Sequence, residues 1–175
     1  PRDNRAYAVL PKLESPDVLL VSEDNLYLEG ALLLNPNIRL EKAAPGAWRE
    51  SLSTDIDIVV FDGVAPQPPK RIDALYLAPS GDSSPWRIRG NIEAPVVDSV
   101  NRNHPLMRWV YFDDLNIASA ARIVPGPADE VVVSGPAGPL LLAREENGRR
   151  LAALAFDPTA SDLPLRVAFP MLMFN

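Results

Sequence analysis

Four short apolar runs organise the first half of the chain. Asp17-Val-Leu-Leu-Val-Ser22 and Asp57-Ile-Val-Val-Phe-Asp62 are continuous rather than alternating, the pattern of strands buried on both faces. Asp73-Ala-Leu-Tyr-Leu-Ala78 predicts another strand, ending at Pro79-Ser80-Gly81, and Ile38-Arg-Leu-Glu41 a shorter one. Between the first run and Ile38, the cluster Glu23-Asp24-Asn25 offers N-cap side chains ahead of Leu26, Leu28, Ala31, Leu32 and Leu33. Asn35-Pro36 closes the helix so defined. Strand, helix, strand, strand, with crossover segments between, predicts an open, mostly parallel α/β sheet.

The second half changes character. Trp86-Arg-Ile-Arg89 and Ala118–Val124 are short and alternating. Glu130–Ser134 and Pro139–Arg144 are strands parted by a Gly-Pro turn, and Arg149–Phe156 pairs with the latter across Glu145-Glu-Asn-Gly148, whose Asn-Gly is a hairpin signal. Ser161 is then expected to cap a last helix, with Asp162 in its first turn and Pro170 kinking or ending it. The fold class is therefore α/β with a β-rich second half. Arg5–Leu10, before Pro11, is expected to be a strand of something upstream. Residues 1–11 are thus assigned to a terminal strand and linker, and 12–175 to the α/β domain.

Composition narrows the function classes. A net charge of -6 disfavours nucleic acid, which needs a concentrated basic face. The close basic pairs, Arg87/Arg89 and Arg149/Arg150, are expected on solvated strand faces. Nineteen prolines, clustered at Pro66–Pro69, Pro125–Pro127 and Pro136–Pro139, imply stiff loops. With no cysteine there is no disulfide, thiolate metal site or cysteine nucleophile. No run reaches the roughly 20 apolar residues of a membrane span, yet the increasingly apolar end at Asn175 suggests that a membrane helix follows.

In an open α/β sheet, chemistry belongs beyond the carboxyl ends of the strands. Glu23, Asp62 and Asp82 could converge there with Ser80 as a ligand-binding or acid/base site, though Asp and Ser also serve as caps and turns. A serine nucleophile at Ser80 or Ser83 would need His104, the single histidine, but neither serine lies in a Gly-x-Ser-x-Gly elbow. His104 precedes Pro105, where a turn or capping role fits it. Asp113-Asp114 fits a cap or turn better than a metal pair, and position 86 is Trp where a von Willebrand A metal site needs Ser. No metal and no cofactor is assigned. Trp48, Trp86 and Trp109 could line a glycan groove or pack in the core.

Several segments together resemble a known family. Asp3-Asn-Arg-Ala-Tyr-Ala-Val-Leu10 resembles the last β-sandwich strand of large membrane-anchored bacterial proteins that combine an aerotolerance-type (Bat-like) region with a von Willebrand A domain. Val18-Leu-Leu-Val21 with Asn25-Leu-Tyr-Leu-Glu29, Asn103-His-Pro-Leu106 and Pro139-Leu-Leu142 fit the domain that follows. So does Ala155-Phe-Asp157 with Ser161-Asp-Leu-Pro-Leu-Arg-Val-Ala-Phe-Pro170, the most specific of these segments. That domain is similar to class I glutamine amidotransferases, with a flavodoxin-like fold and a membrane helix after it.

The resemblance implies a Cys-His-Glu triad with the cysteine on a sharp turn after a central strand. Here that turn corresponds to Ala78-Pro79-Ser80-Gly81 and holds no cysteine. The expectation is a non-catalytic interaction or scaffolding domain of a membrane-tethered, extracytoplasmic protein. Its expected partners are upstream domains of the same chain and envelope proteins. The alternatives are a serine hydrolase and a small-ligand or glycan-binding domain.

Overall fold

A computed structural model describes residues 15–175. The expected terminal strand at Arg5–Leu10 and the boundary after residue 11 lie outside the described residues. The main sheet has eight strands in the order β2-β1-β3-β4-β10-β9-β8-β6. Its parallel part consists of β1 (Asp17–Val21), β2 (Arg39–Ala43), β3 (Ile58–Asp62), β4 (Asp73–Leu77) and β10 (Arg149–Leu154). That is the 2-1-3-4-5 order of a flavodoxin-like sheet, with β10 in the fifth place. β1 and β3 are buried along most of their length, as their unbroken apolar runs require. β2, with sequence RLEKA, is a charged, largely exposed edge that resists pairing with another chain.

Ala78–Gly148 forms an insertion between the fourth and fifth parallel strands. β9 (Gly138–Glu146) and β8 (Glu130–Gly135) extend the sheet antiparallel beyond β10, and β6 (Ser99–Val100) completes it. The β9–β10 hairpin turns at Asn147 and Gly148, both with positive φ (52° and 75°), the type I′ geometry that the Asn-Gly pair predicts. Gly135 is needed for a different reason, since a Cβ there would lie 2.1 Å from the Val96 carbonyl oxygen. β5 (Arg87–Glu93) and β7 (Ser119–Val124) make a separate antiparallel ribbon. It is tied to the chain after β10 by Ala121 N–H to the Ala155 carbonyl (2.7 Å).

The helices are short. α1 (Leu26–Leu33) is capped by Asn25, whose Oδ1 accepts from Leu28 N–H at 3.0 Å. α2 (Ala168–Phe174) lies beside α1. The β3–β4 crossover has no helix; the proline-rich chain crosses there instead. It is anchored by Arg149, which donates through one nitrogen to the Pro68 (3.2 Å) and Pro69 carbonyls and through the other to Glu146. The Tyr76 hydroxyl donates to the Pro66 carbonyl at 3.2 Å, and burial pushes its phenol above the ordinary tyrosine range. Arg149 therefore corrects the expectation of a solvated basic pair. Only Arg150 faces solvent, paired with Asp73.

The C-terminal segment departs from its expected form. Ser161 does not cap a long helix: its hydroxyl accepts from Leu163 N–H and starts only a 3-10 turn, Leu163–Leu165. α2 begins at Ala168, so Pro170 sits in its first turn. Its missing N–H costs nothing there, because the first four amides of a helix lack intrahelical acceptors. Asp162 and Arg166 instead form a clamp. The Asp162 carboxylate accepts from Arg166 (2.7 Å) and from the Asn116 side chain (3.0 Å) and backbone N–H (3.1 Å). Arg166 donates onward to the Asp113 and Asp114 carbonyls.

These partners, Arg166 foremost, hold the Asp162 carboxyl down at about 2, below its ordinary 3.8. The stability this gives is present above pH ~4 and lost as the pH falls through about 2. Asp162→Asn should therefore lower the urea midpoint at neutral pH, and its gap to wild type should close as pH drops from 4 to 2. A gap that stays constant with pH contradicts the clamp.

Candidate functional site

The carboxyl ends of β1 and β3 meet through side chains. Ser22 Oγ donates to Asp62 Oδ2 at 2.7 Å, and Asn25 Nδ2 donates to the same oxygen at 3.1 Å. Asp62 thus braces the residue that caps α1. Next to it, Gly63 adopts φ 71°, and its carbonyl accepts from Ser80 Oγ at 2.5 Å. Asp62 and Ser80 are brought into one neighbourhood, as the strand-end argument expects, but both side chains are engaged in local bonds.

Glu23 lines a shallow cleft of about 120 Å³ with Ser22, Asp24, Glu29 and Lys42. Lys42 and Glu29 close that cleft as an ion pair at 3.0 Å. Asp82 and Ser83 are exposed on the following turn, where Ser83 offers its carbonyl to Gln67 Nε2 at 2.9 Å. No described hydrogen bond joins Glu23 or Asp82 to Asp62 or Ser80. Asp62 and Ser80 are satisfied by the cap and the turn in which their residue types are favoured.

The turn after β4 has a further feature that its sequence does not reveal. Ala78 takes φ 45°, a left-handed conformation that a residue with a Cβ adopts at a cost, and its N–H bonds to the Leu154 carbonyl at 2.9 Å. It stands at the carboxyl end of a central parallel strand and brings no reactive group there.

His104 lies elsewhere. Its Nδ1 accepts from Leu106 N–H at 3.2 Å, capping the turn Pro105–Met107, and its Nε2 is 3.9 Å from Glu130 at the start of β8. β8 is separated from β4 by β10 and β9. Three strand spacings amount to roughly 14 Å. Neither Ser80 nor Ser83 shares a described hydrogen bond with it, so the alternative Ser–His pairing draws no support from these contacts. Asp113 pairs with Arg102, and Asp114 has a positive φ of 53° in a turn.

The tryptophans do not share a groove. Trp48 packs edge-on against Phe61, Phe61 stacks on Tyr76, and Tyr76 meets Trp86, a continuous aromatic row in the core. Trp109 takes no part in that row and is exposed. Trp86 is fixed further by its Nε1–H to Asp129 (3.0 Å) and by the Arg144 guanidinium 4.9 Å from its ring. Arg144 Nε lies 3.2 Å from Glu146 Oε2, but the pair is not aligned for a hydrogen bond.

A cavity of about 460 Å³ lies over the sheet face beside the ends of α1 and α2. Val18, Val60, Leu75 and Ala152 line it from the sheet, and Leu32 and Leu172 from the helices. Nothing in the sequence marks it: among the described residues it lies where the two short helices leave the strand face uncovered. No described helix is long and apolar enough to cross a membrane.

No protein-family model matches the chain, and no curated protein does either. Solved structures do. A cytoplasmic protein from Salmonella typhimurium matches with a TM-score of 0.70 at 11% identity, covering 91% of this chain and 96% of that one. Another, from Salmonella typhimurium LT2, matches with a TM-score of 0.66 at 9% identity over 89% and 96%. A GMP synthase-like protein from Thermoplasma acidophilum matches with a TM-score of 0.61 at 8% identity over 92% and 91%. At such identities the likeness is one of fold. The chain has a mixed α/β fold with a large, mostly parallel sheet and few helices, consistent with a flavodoxin-like arrangement and shared with these structures.

Proposed function

We propose that this is a non-catalytic interaction or scaffolding domain, an amidotransferase-like fold that has lost its nucleophile. It works within a membrane-tethered protein beside a von Willebrand A domain, on the extracytoplasmic side. The observation that carries this reading is the turn after β4. The family resemblance puts the nucleophile on that turn, and here the strained backbone bears Ala78, in a chain without cysteine. The neighbouring polar groups support it too, since Ser80 and Asp62 are bonded to backbone and cap rather than to a general base. Fold and chemistry are separable, so the scaffold survives the loss.

The reading is tested by partner capture from envelope extracts, using the intact protein with and without this domain. Loss of specific envelope partners on deleting the domain is the expected result. Recovery of the same partners by both forms contradicts it.

A further inference from the structure

We propose that the open edge of the β5–β7 ribbon binds an extended acidic peptide segment of a partner protein. The inference deepens the interaction reading and rests on it, by giving the chemistry of the partner. β5 pairs with β7 alone. β7 is held on its other side by the chain after β10, where Ala118 N–H bonds to the Ala160 carbonyl and Ala121 N–H to the Ala155 carbonyl. Among the described residues nothing pairs with the outer edge of β5, and five of its seven residues are exposed. Its outward N–H and C=O groups are thus free to take a third strand.

Charge says what that strand carries. Arg87, Arg89 and Arg122 are all exposed on the ribbon. Seven other basic residues are paired with carboxylates. Among the described residues these three have no acid partner, although the chain as a whole has a net charge of -6. The ribbon's one acid, Glu93, stands at the far end of β5 opposite Ser119. Ile88 pairs with Ile123 and Asn91 with Ala121, so Arg89 and Gly90 together face Arg122 across a bulge, with Gly90 at φ 79°. Like charges opposed across a ladder destabilise it, and a carboxylate placed beside them offsets that cost. Bulges and charges also keep a free edge from pairing at random. That role leaves Arg122 unexplained, since it lies on the inner strand and guards no edge.

Spacing selects a peptide among anions. Arg87 and Arg89 are two residues apart, about 7 Å along the strand. Acidic residues at alternate positions of an extended peptide have the same spacing, and each guanidinium fork can hold a carboxylate through two N–H bonds. A lipid headgroup or a nucleic acid would answer the arginines but leave the β5 backbone unpaired. The acidic balance of the chain also opposes both of those larger polyanions.

The test is fluorescence anisotropy of a labelled eight-residue peptide alternating glutamate and threonine, titrated with the 175-residue chain beside a glutamine–threonine counterpart. The glutamate peptide should bind, more weakly as salt is added, and the glutamine peptide should not. Arg89→Ala and Arg122→Ala should each weaken binding about tenfold, with circular dichroism unchanged because both side chains are already in solvent. The control Arg108→Ala, an exposed residue outside the ribbon, should bind as wild type does. Hydrogen exchange of the β5 amides should slow in the complex. No binding at about 200 µM chain overturns the proposal, as do equal binding of the glutamine peptide and wild-type affinity in both ribbon variants. Binding without slower exchange in β5 overturns it too, because charge alone then holds the peptide. So does a chain that ignores the peptide and floats with phosphatidylserine vesicles. Envelope-partner capture requires none of these results, so the ribbon edge and the interaction reading fail separately.

Discussion

Arg149→Ala should destabilise the domain by about 3 kcal/mol, the cost of leaving a buried and a part-buried carbonyl and a carboxylate oxygen short of their shared donor. The guanidinium does three things at once from the first residue of β10. It satisfies the Pro68 and Pro69 carbonyls, neutralises Glu146, and fixes the crossover that stands where a helix would ordinarily pack. Arg149 is 9% exposed, so water cannot take over these bonds without opening the loop. The alanine variant leaves the buried Pro69 and part-buried Pro68 carbonyls without their donor, and leaves Glu146 with Arg144 as its remaining neighbouring cation. In a domain of this size the loss corresponds to a fall of roughly 10 °C in Tm. Urea titration checks the value. A loss below about 1 kcal/mol would mean that the proline-rich crossover holds its place without Arg149.

Phe61→Ala should cost a similar amount, about 3–5 kcal/mol, for an unrelated reason. Phe61 is fully buried, 4.9 Å from the Trp48 ring centroid and 4.8 Å from that of Tyr76. Its removal leaves a cavity inside the aromatic row, which links β3 and β4 to Trp86 at the entrance to β5. Rings held on separate strands and loops cannot collapse together to fill it. Near-ultraviolet circular dichroism of Trp48 and Trp86 should weaken along with stability. A variant that kept both would show that the row is not a unit of the core.

The parallel half of the fold is legible in the sequence because its strands are short, continuous apolar runs. The structure places β1, β3 and β4 within a residue of those runs. The hairpin at Asn147-Gly148 is legible for a local reason, since few residue pairs accept two positive φ values. What escapes is whatever depends on distant partners. Arg149 is half of a basic pair in sequence, and only the arrival of the Pro66–Pro69 loop makes it a buried anchor. Asp162 looks like a helix cap until Asn116 and Arg166 close on it.

The candidate site divides along the same line. That Asp62 and Ser80 end neighbouring strands follows from the parallel order. That they bond to Asn25 and to the Gly63 carbonyl, and not to each other or to His104, is set by turn geometry that no spacing rule contains. The groove beside α1 and α2 is likewise invisible in sequence, because apolar runs report what needs covering and not what covers it.

This domain is proposed to hold no working nucleophile, a claim that fluorophosphonate labelling of the folded chain, read by intact mass, can refute. Ser80 Oγ is spent on the Gly63 carbonyl, and His104 stands three strands from the β4 turn. The expected result is therefore an unmodified mass under conditions that fully label a serine hydrolase. A single adduct on Ser80 or Ser83, abolished by the matching alanine substitution, would contradict that claim and make this domain an enzyme.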